Sequence, residues 1–127
     1  MLAATPTVRL ARAGDKPLFE VLVAEVAGGV AGYASFQPFY DSDLAEMGVW
    51  LIDLNVDPAA RSGGLGRLLM AELARLVQAR GGRSLTWGVL NGNCGAIKFY
   101  QELGALDAEA RILELKGDAL AAVAARS

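Results

Sequence analysis

Histidine is absent from all 127 residues, and cysteine occurs once, as Cys94. Without histidine, Ser-His-Asp and Cys-His nucleophilic catalysis are excluded. A lone cysteine excludes an internal disulfide. A zinc site would then need a cluster of thiolates or carboxylates that no stretch supplies, so no metal is expected. No apolar run approaches the ~20 residues of a membrane span. No basic-then-apolar start resembles a signal peptide either, so no membrane partner is expected and the cytoplasm is the default location. An excess of positive charge is also missing: 12 Lys and Arg against 14 Asp and Glu give a net charge of −2, which argues against nucleic acid as a partner.

What the chain has is apolar residues and glycine. A length of 127 residues makes one domain, burying roughly two thirds of its unfolded surface around a real core. Thr7–Arg12 alternates and reads as a first strand, followed by a turn over Ala13–Pro17. Residues 18–26 make a second strand, Ala27-Gly28-Gly29 a hairpin turn, and Val30–Phe36 a third strand ending near Pro38. After a polar loop over 39–46, the continuous apolar character of Gly48–Val56 marks a central strand. Leu65, Leu69, Leu73, Leu76 and Val77 recur at helical spacing and predict a helix from about Gly64 to Arg80, ended by Gly81-Gly82. Ser84–Leu90 is the next strand, Asn93–Leu103 a short helix ended by Gly104, and Ala110–Leu115 a final strand. Asp118 is placed to cap a last helix over Ala119–Ala125. Strands followed by a single strand-helix-strand crossover define an α+β domain, with a mixed, mostly antiparallel twisted sheet flanked by helices.

The crossover puts Asp57-Pro58-Ala59-Ala60-Arg61-Ser62-Gly63-Gly64-Leu65-Gly66-Arg67 at the carboxyl end of the central strand, where open α/β sheets tend to hold ligands. A helix start there offers unpaired backbone N–H groups and a partial positive charge to an anion. The stretch is not a Walker A loop, because Gly66 is followed by Arg67-Leu68 and not Lys-Ser/Thr. Nor is it a dinucleotide fingerprint, since Leu69 stands where a third glycine is needed. The pattern is Arg-x-x-Gly-x-Gly at Arg61, Gly64 and Gly66, and alone it also fits a ligand-free strand-to-helix turn. Between residues 61 and 83 five arginines face one acid, a formal +4 that suits a phosphate-bearing ligand. Asp41, Asp43, Glu46 and Asp53 are offset by no cation between 41 and 53, which suits either an amine acceptor or a solvated loop.

A second motif, Asn93-x-x-Ala96-x-x-Phe99-Tyr100-x-x-Leu103-Gly104, follows at an interval that accommodates a helix and a strand. With this pair the sequence resembles the GNAT superfamily of N-acetyltransferases, and within it the diamine (spermidine/spermine) and thialysine branch. The resemblance implies a GNAT-like sheet, acetyl-CoA as cosubstrate and a small-molecule amine acceptor acetylated by direct attack in a ternary complex. It also implies residue roles. Leu54, Asn55 and Val56 hold the pantetheine arm through backbone groups. Arg61, Ser62, Gly63, Gly64, Leu65, Gly66 and Arg67 wrap the pyrophosphate, mostly with backbone N–H. Asn93, with Ala96 in the same motif, contacts the cofactor arm, although an Asn before a helix also serves as an N-cap. Tyr100 is the general acid that stabilises or protonates the leaving thiolate.

The sequence departs from that branch at two places. Where relatives often read Leu-Glu-Asp, this chain reads Leu51-Ile52-Asp53. Strict alternation along a strand would turn Asp53 to the opposite face from position 52. Asp53 is therefore either a base acting through water or a structural acid. The interval between the first two strands, Ala13–Leu18, is also too short for the two helices that relatives place there. An acceptor side that is open or covered by a second subunit follows, with an exposed apolar patch that favours a homodimer. A CoA-binding domain without transfer activity is the alternative that both departures allow.

Overall fold

The structure is a computed structural model that describes residues 5–11 and 19–126. It contains two compact units, one within Met1–Trp87 and the other within Gly88–Ser127. Arg12, the expected turn at Ala13–Pro17 and the start of the second strand at Leu18 lie outside the described residues.

The first unit is built on a five-stranded sheet in the order β1 (Thr7–Leu10), β2 (Glu20–Val26), β3 (Gly29–Asp41), β4 (Glu46–Val56) and β5 (Leu85–Thr86). Neighbours from β1 to β4 are antiparallel, and β5 joins β4 in parallel. A 3-10 helix at Pro58–Gly63 and helix α1 (Leu65–Ala79) connect β4 to β5. This is the mixed, mostly antiparallel sheet expected from the order of apolar segments.

Turn chemistry sets the strand lengths. Ala27 and Gly28 both have positive φ, 54° and 81°, which matches the right-handed twist of the flanking strands and lets β3 begin at once. β3 does not stop near Pro38 as expected but continues to Asp41. Pairing with β2 ends at Phe36, and beyond it β3 faces only β4. A proline is tolerated there because no neighbour asks for its missing N–H. The expected polar loop shrinks to the turn between β3 and β4, in which an Asp41 side-chain oxygen accepts from the backbone N–H of Asp43 at 3.0 Å and of Leu44 at 3.2 Å.

Helix α1 covers one face of the sheet. Leu65, Leu69, Leu73 and Val77 recur every four residues and are buried with Met70 against Leu22, Ala24, Ala34, Phe36, Val49 and Leu51. Leu76, expected in this stripe, is half-buried, and Met70 fills the place instead. Burial of each large aliphatic side chain stabilises the fold by roughly 1.5–3 kcal/mol. β4 and the segment entering β5 approach so closely that a Cβ on Gly48 would stand 2.7 Å from the Ser84 carbonyl oxygen. Only glycine allows this approach. The expected strand Ser84–Leu90 is reduced to Leu85–Thr86, paired with Val49 and Trp50. β4 bulges at Ile52, just past that pairing, and a bulged strand bends out of line with its neighbour.

The second unit contains helices α2 (Cys94–Glu102) and α3 (Gly117–Ala124). Gly104, at φ 98°, follows the end of α2 as expected. The expected strand at Ala110–Leu115 is absent: residues 105–116 have no regular secondary structure, and Ile112 and Leu113 are 66% and 88% exposed. Apolar composition specifies a strand only where a neighbour takes up its backbone N–H and C=O groups, and no described strand pairs with this segment. Lys116, not Asp118, occupies the N-cap of α3 and makes no side-chain cap bond. Asp118 sits in the first turn, where its charge complements the helix dipole. No helix of the described residues is long and apolar enough to cross a membrane.

Candidate functional site

The register of β3 against β4 changes at the position where the sequence departs from the diamine branch. Ser35 pairs with Asp53 and Phe36 with Leu51, so Ile52 is an extra residue on β4. Across such a bulge the alternation of side chains resets. Leu51 is buried on the α1 side. Leu54, opposite the buried Ala34, lies on the same side. Ile52 and Asp53, between them, therefore both face away from α1, and both are exposed. This corrects the expectation from strict alternation, which set Asp53 on the opposite face from position 52.

Tyr33 joins Asp53 on that open face. Paired with Asn55 across the strands, it reaches diagonally so that its hydroxyl donates to a carboxylate oxygen of Asp53 at 3.0 Å. This hydrogen bond and the negative charge of Asp53 hold the phenol above the ordinary tyrosine range, against the opposing effect of a hydrogen bond with the Asn55 side chain. The sequence reading did not single out Tyr33, because its role depends on a register twenty residues distant in the chain. The one available signal was its place in the alternation Tyr33, Ser35, Gln37, which puts polar groups on one face of β3.

Leu54, Asn55 and Val56 pair with Ala34, Tyr33 and Gly32 on the β3 side. On the other side the pairing with β5 stops at Trp50, so from Leu51 to Val56 no described strand lies along β4. No described strand takes up the backbone groups on that edge. Asp57 then caps the 3-10 helix by accepting from the Ala59 N–H at 3.1 Å, and the Arg61 Nε donates to the Val56 carbonyl at 3.2 Å. Gly64, at φ 75°, makes the left-handed step from the 3-10 helix into α1 and favours glycine for that reason. A Cβ placed on Gly63 or Gly64 would meet no described atom within 4 Å. Internal packing therefore does not fill the space over this turn, and an anion approaching it meets the first amides of α1. Leu65 has its side chain in the core, 2% exposed, so only its backbone is available to a ligand. Gly66 is half-buried and Arg67 exposed. These features fit a pyrophosphate in chemistry and in access.

The local charge is redistributed by the fold. Arg75 pairs with Glu72, Arg80 with Glu20 at 2.9 Å, and Arg83 with Glu46 through two contacts of 2.9 Å. The Arg80 and Arg83 guanidinium groups hold the Glu20 and Glu46 carboxyls below the ordinary carboxylate range. Of the five arginines behind the formal +4, Arg61 and Arg67 remain without an acidic partner among the described residues. The acidic stretch is likewise engaged: Asp41 holds its own turn, Glu46 binds Arg83 and Asp53 accepts from Tyr33.

Asn93, Ala96 and Tyr100 belong to the second unit. The Asn93 side-chain oxygen accepts from the Ala96 N–H at 3.2 Å and caps α2. That bond uses the acceptor end of the amide, and its NH₂ end has no partner among the described residues. Tyr100 is half-buried on α2, its ring 5.3 Å from that of Phe99. Among the described residues no group of three or more Cys, Asp or Glu is placed to hold a metal ion.

Known proteins resemble this chain in sequence and in fold. L-ornithine N5-acetyltransferase NATA1 of Arabidopsis thaliana is 37% identical over 95 residues, 74% of this chain and 42% of its own length. The thialysine N-epsilon-acetyltransferase of Mus musculus is 32% identical over 102 residues, 74% of this chain and 59% of its own. The chain thus spans only about half the length of these relatives. Among solved structures, an integron cassette protein from the mobile metagenome of V. cholerae superposes with a TM-score of 0.77 at 28% identity, covering 85% of this chain and 67% of that one. The fold is also that of aminoglycoside N-acetyltransferase AAC(6')-Iy in complex with CoA, at a TM-score of 0.70 and 24% identity over 77% of this chain and 66% of that one. The profile described as "Acetyltransferase (GNAT) family" matches residues 3–105, from the first strand to the end of the Asn93–Gly104 motif, and the chain belongs to that family.

Proposed function

We propose that the chain transfers the acetyl group of acetyl-CoA to a primary amine of a small molecule, polyamine-like or amino-acid-like, in a ternary complex. The observation that carries this reading is the turn from Asp57 to Arg67. Its glycines leave open space over the first amides of α1, and Arg61 and Arg67 are the cations of the segment that no acid neutralises among the described residues. The pyrophosphate is held by the backbone from Arg61 to Arg67 and the pantetheine arm by the open edge of Leu54, Asn55 and Val56, with Asn93 and Ala96 completing the set. Relatives named for ornithine and thialysine support an acceptor with a side-chain amine.

Acetyl-CoA supplies the thioester. The protein orients the reactants and manages two protons. An ammonium group must lose one proton before its nitrogen can attack, and Asp53 takes it directly or through a water. As the C–N bond forms and the C–S bond breaks, the departing sulfur takes a proton from Tyr100, and the second proton lost by the nitrogen restores the Tyr100 phenol, directly or through water. The first proton leaves to solvent. With no histidine in the chain, a carboxylate and a phenol carry this traffic.

Acetyl-CoA at about 100 times its Kd is expected to stabilise the protein by about 2.7 kcal/mol, since it binds only the native state. Thermal melting checks this, with Arg67→Glu expected to reduce the shift. Thiol release with ornithine, thialysine and a diamine series tests transfer. A second reading, a CoA-binding domain without transfer activity, is favoured by Ile52 in place of the branch's acid; a thermal shift with no turnover on any amine selects it. No shift at all removes both readings.

The reading includes a homodimer. Ile52 is 44% exposed on the face away from α1 and Phe19, at the start of the second described stretch, is 46% exposed, so apolar surface remains for a partner copy to cover. Light scattering is expected to give twice the chain mass, and a monomer mass would discard the dimer.

A further inference from the structure

We infer that Tyr33 is a positioning residue for Asp53: its phenol, seated on the open sheet face by the Ile52 bulge, fixes one carboxylate oxygen so that the other accepts the acceptor amine's proton. The inference rests on the transfer reading above and adds to it a residue that neither sequence motif contains.

The bulge comes first in the argument. Without the bulge, regular alternation through residues 51–53 would set Leu51 and Asp53 on one face, and a carboxylate would enter the apolar layer under α1. Burying an unpaired charge there is prohibitively costly. With it, Leu51 and Leu54 stay on the covered side while Asp53 emerges beside position 52. Bulges re-aim side chains in this manner and are over-represented next to active sites.

The hydrogen bond supplies the second step. An exposed aspartate on a strand samples several orientations, and a proton acceptor must hold one. Tyr33 donates to one oxygen of Asp53 at 3.0 Å, a diagonal contact within the reach of an aromatic side chain. Tyr33 stands directly opposite Asn55 in the strand pairing, so the ladder of β3 and β4 fixes the backbone from which the phenol reaches Asp53. The second Asp53 side-chain oxygen has no partner among the described residues. A carboxylate with one oxygen anchored and one open suits acceptance of a proton from a cationic amine. The proton moves from nitrogen to that oxygen, the nitrogen keeps the electron pair, and Asp53 later returns the proton to water. β3 and β4 bring no other titratable side chain to Asp53 among the described residues.

A double-mutant cycle tests this. Tyr33→Phe keeps the ring and removes only the hydroxyl; it is expected to lower kcat about tenfold with KM for acetyl-CoA unchanged. Asp53→Asn is expected to lower kcat by about 10²-fold. Because Tyr33 acts through Asp53, the double variant is expected to match Asp53→Asn alone, a non-additivity that a merely structural role would not produce. A spectroscopic reading accompanies it: the tyrosinate absorbance missing in Tyr33→Phe is expected to develop at lower pH in Asp53→Asn than in the wild type. Full kcat in Tyr33→Phe, or losses that add in the double variant, overturns the inference while wild-type turnover keeps the transfer reading. Absence of turnover in the wild type with every amine removes both together.

Discussion

Tyr100→Phe is expected to lower kcat about 10²-fold, the size of effect associated with loss of a positioned proton donor, while calorimetry shows unchanged affinity for acetyl-CoA. Thioester aminolysis expels a thiolate, and a phenol donates to it at neutral pH without being ionised itself. The substitution is narrow because the side chain is half-buried on α2 and its ring lies 5.3 Å from the ring of Phe99. Phenylalanine keeps that packing and deletes only the oxygen. A loss confined to kcat marks an interaction made in the transition state, whereas a rise in KM alone would mark ground-state binding. Equal turnover in the variant would take Tyr100 out of the mechanism and leave Asp53 as the sole candidate for proton transfer.

The largest effect on stability is expected from Leu69→Ala, with a loss of about 3 kcal/mol within a range of roughly 2–5. Leu69 is fully buried on α1. Its Cδ1 atom lies 3.3 Å from where a Cβ on Gly32 would stand, so the helix is seated tightly on β3 at this point. Truncation leaves a cavity that neither rigid neighbour can close. Urea denaturation measures the effect as a lower midpoint with the slope unchanged. A loss below about 1 kcal/mol would show that α1 re-seats and that the packing is looser than the structure describes. The position also matters for function, since Leu69 lies little more than one turn along the helix whose first amides face the ligand turn.

The proposed effects of Tyr100 and Leu69 come from parts of the chain legible in different ways. Leu69 follows from a four-residue period that any core-facing helix must show. Tyr100 follows from the register of Asn93, Ala96 and Gly104 around it, of which the structure supplies the cap at Asn93 and the positive φ at Gly104. Neither needs knowledge of a distant residue. The ion pairs differ in this respect. Arg80 finds Glu20 sixty positions away and Arg83 finds Glu46 thirty-seven away, so a sum of charges along a segment overstated the positive field left for a phosphate ligand. The segment Ala110–Leu115 shows the converse, because apolar residues alone cannot make a strand.

By itself the sequence determined the order of the elements from β1 to α2, the helix α1 and its apolar stripe, the glycine-rich turn that leads into it, and the two motifs that identify the family. Each depends on residues within a few positions of one another: helical period, turn geometry and capping are local chemistry. The tertiary structure decided which face Asp53 occupies, that Tyr33 stands beside it, and which arginines remain for a ligand. These depend on strand register and on side chains meeting across the sheet. A bulge of one residue, Ile52, inverts a face assignment that alternation along a single strand makes unambiguous, because pairing between strands and not periodicity within one sets where the side chain emerges.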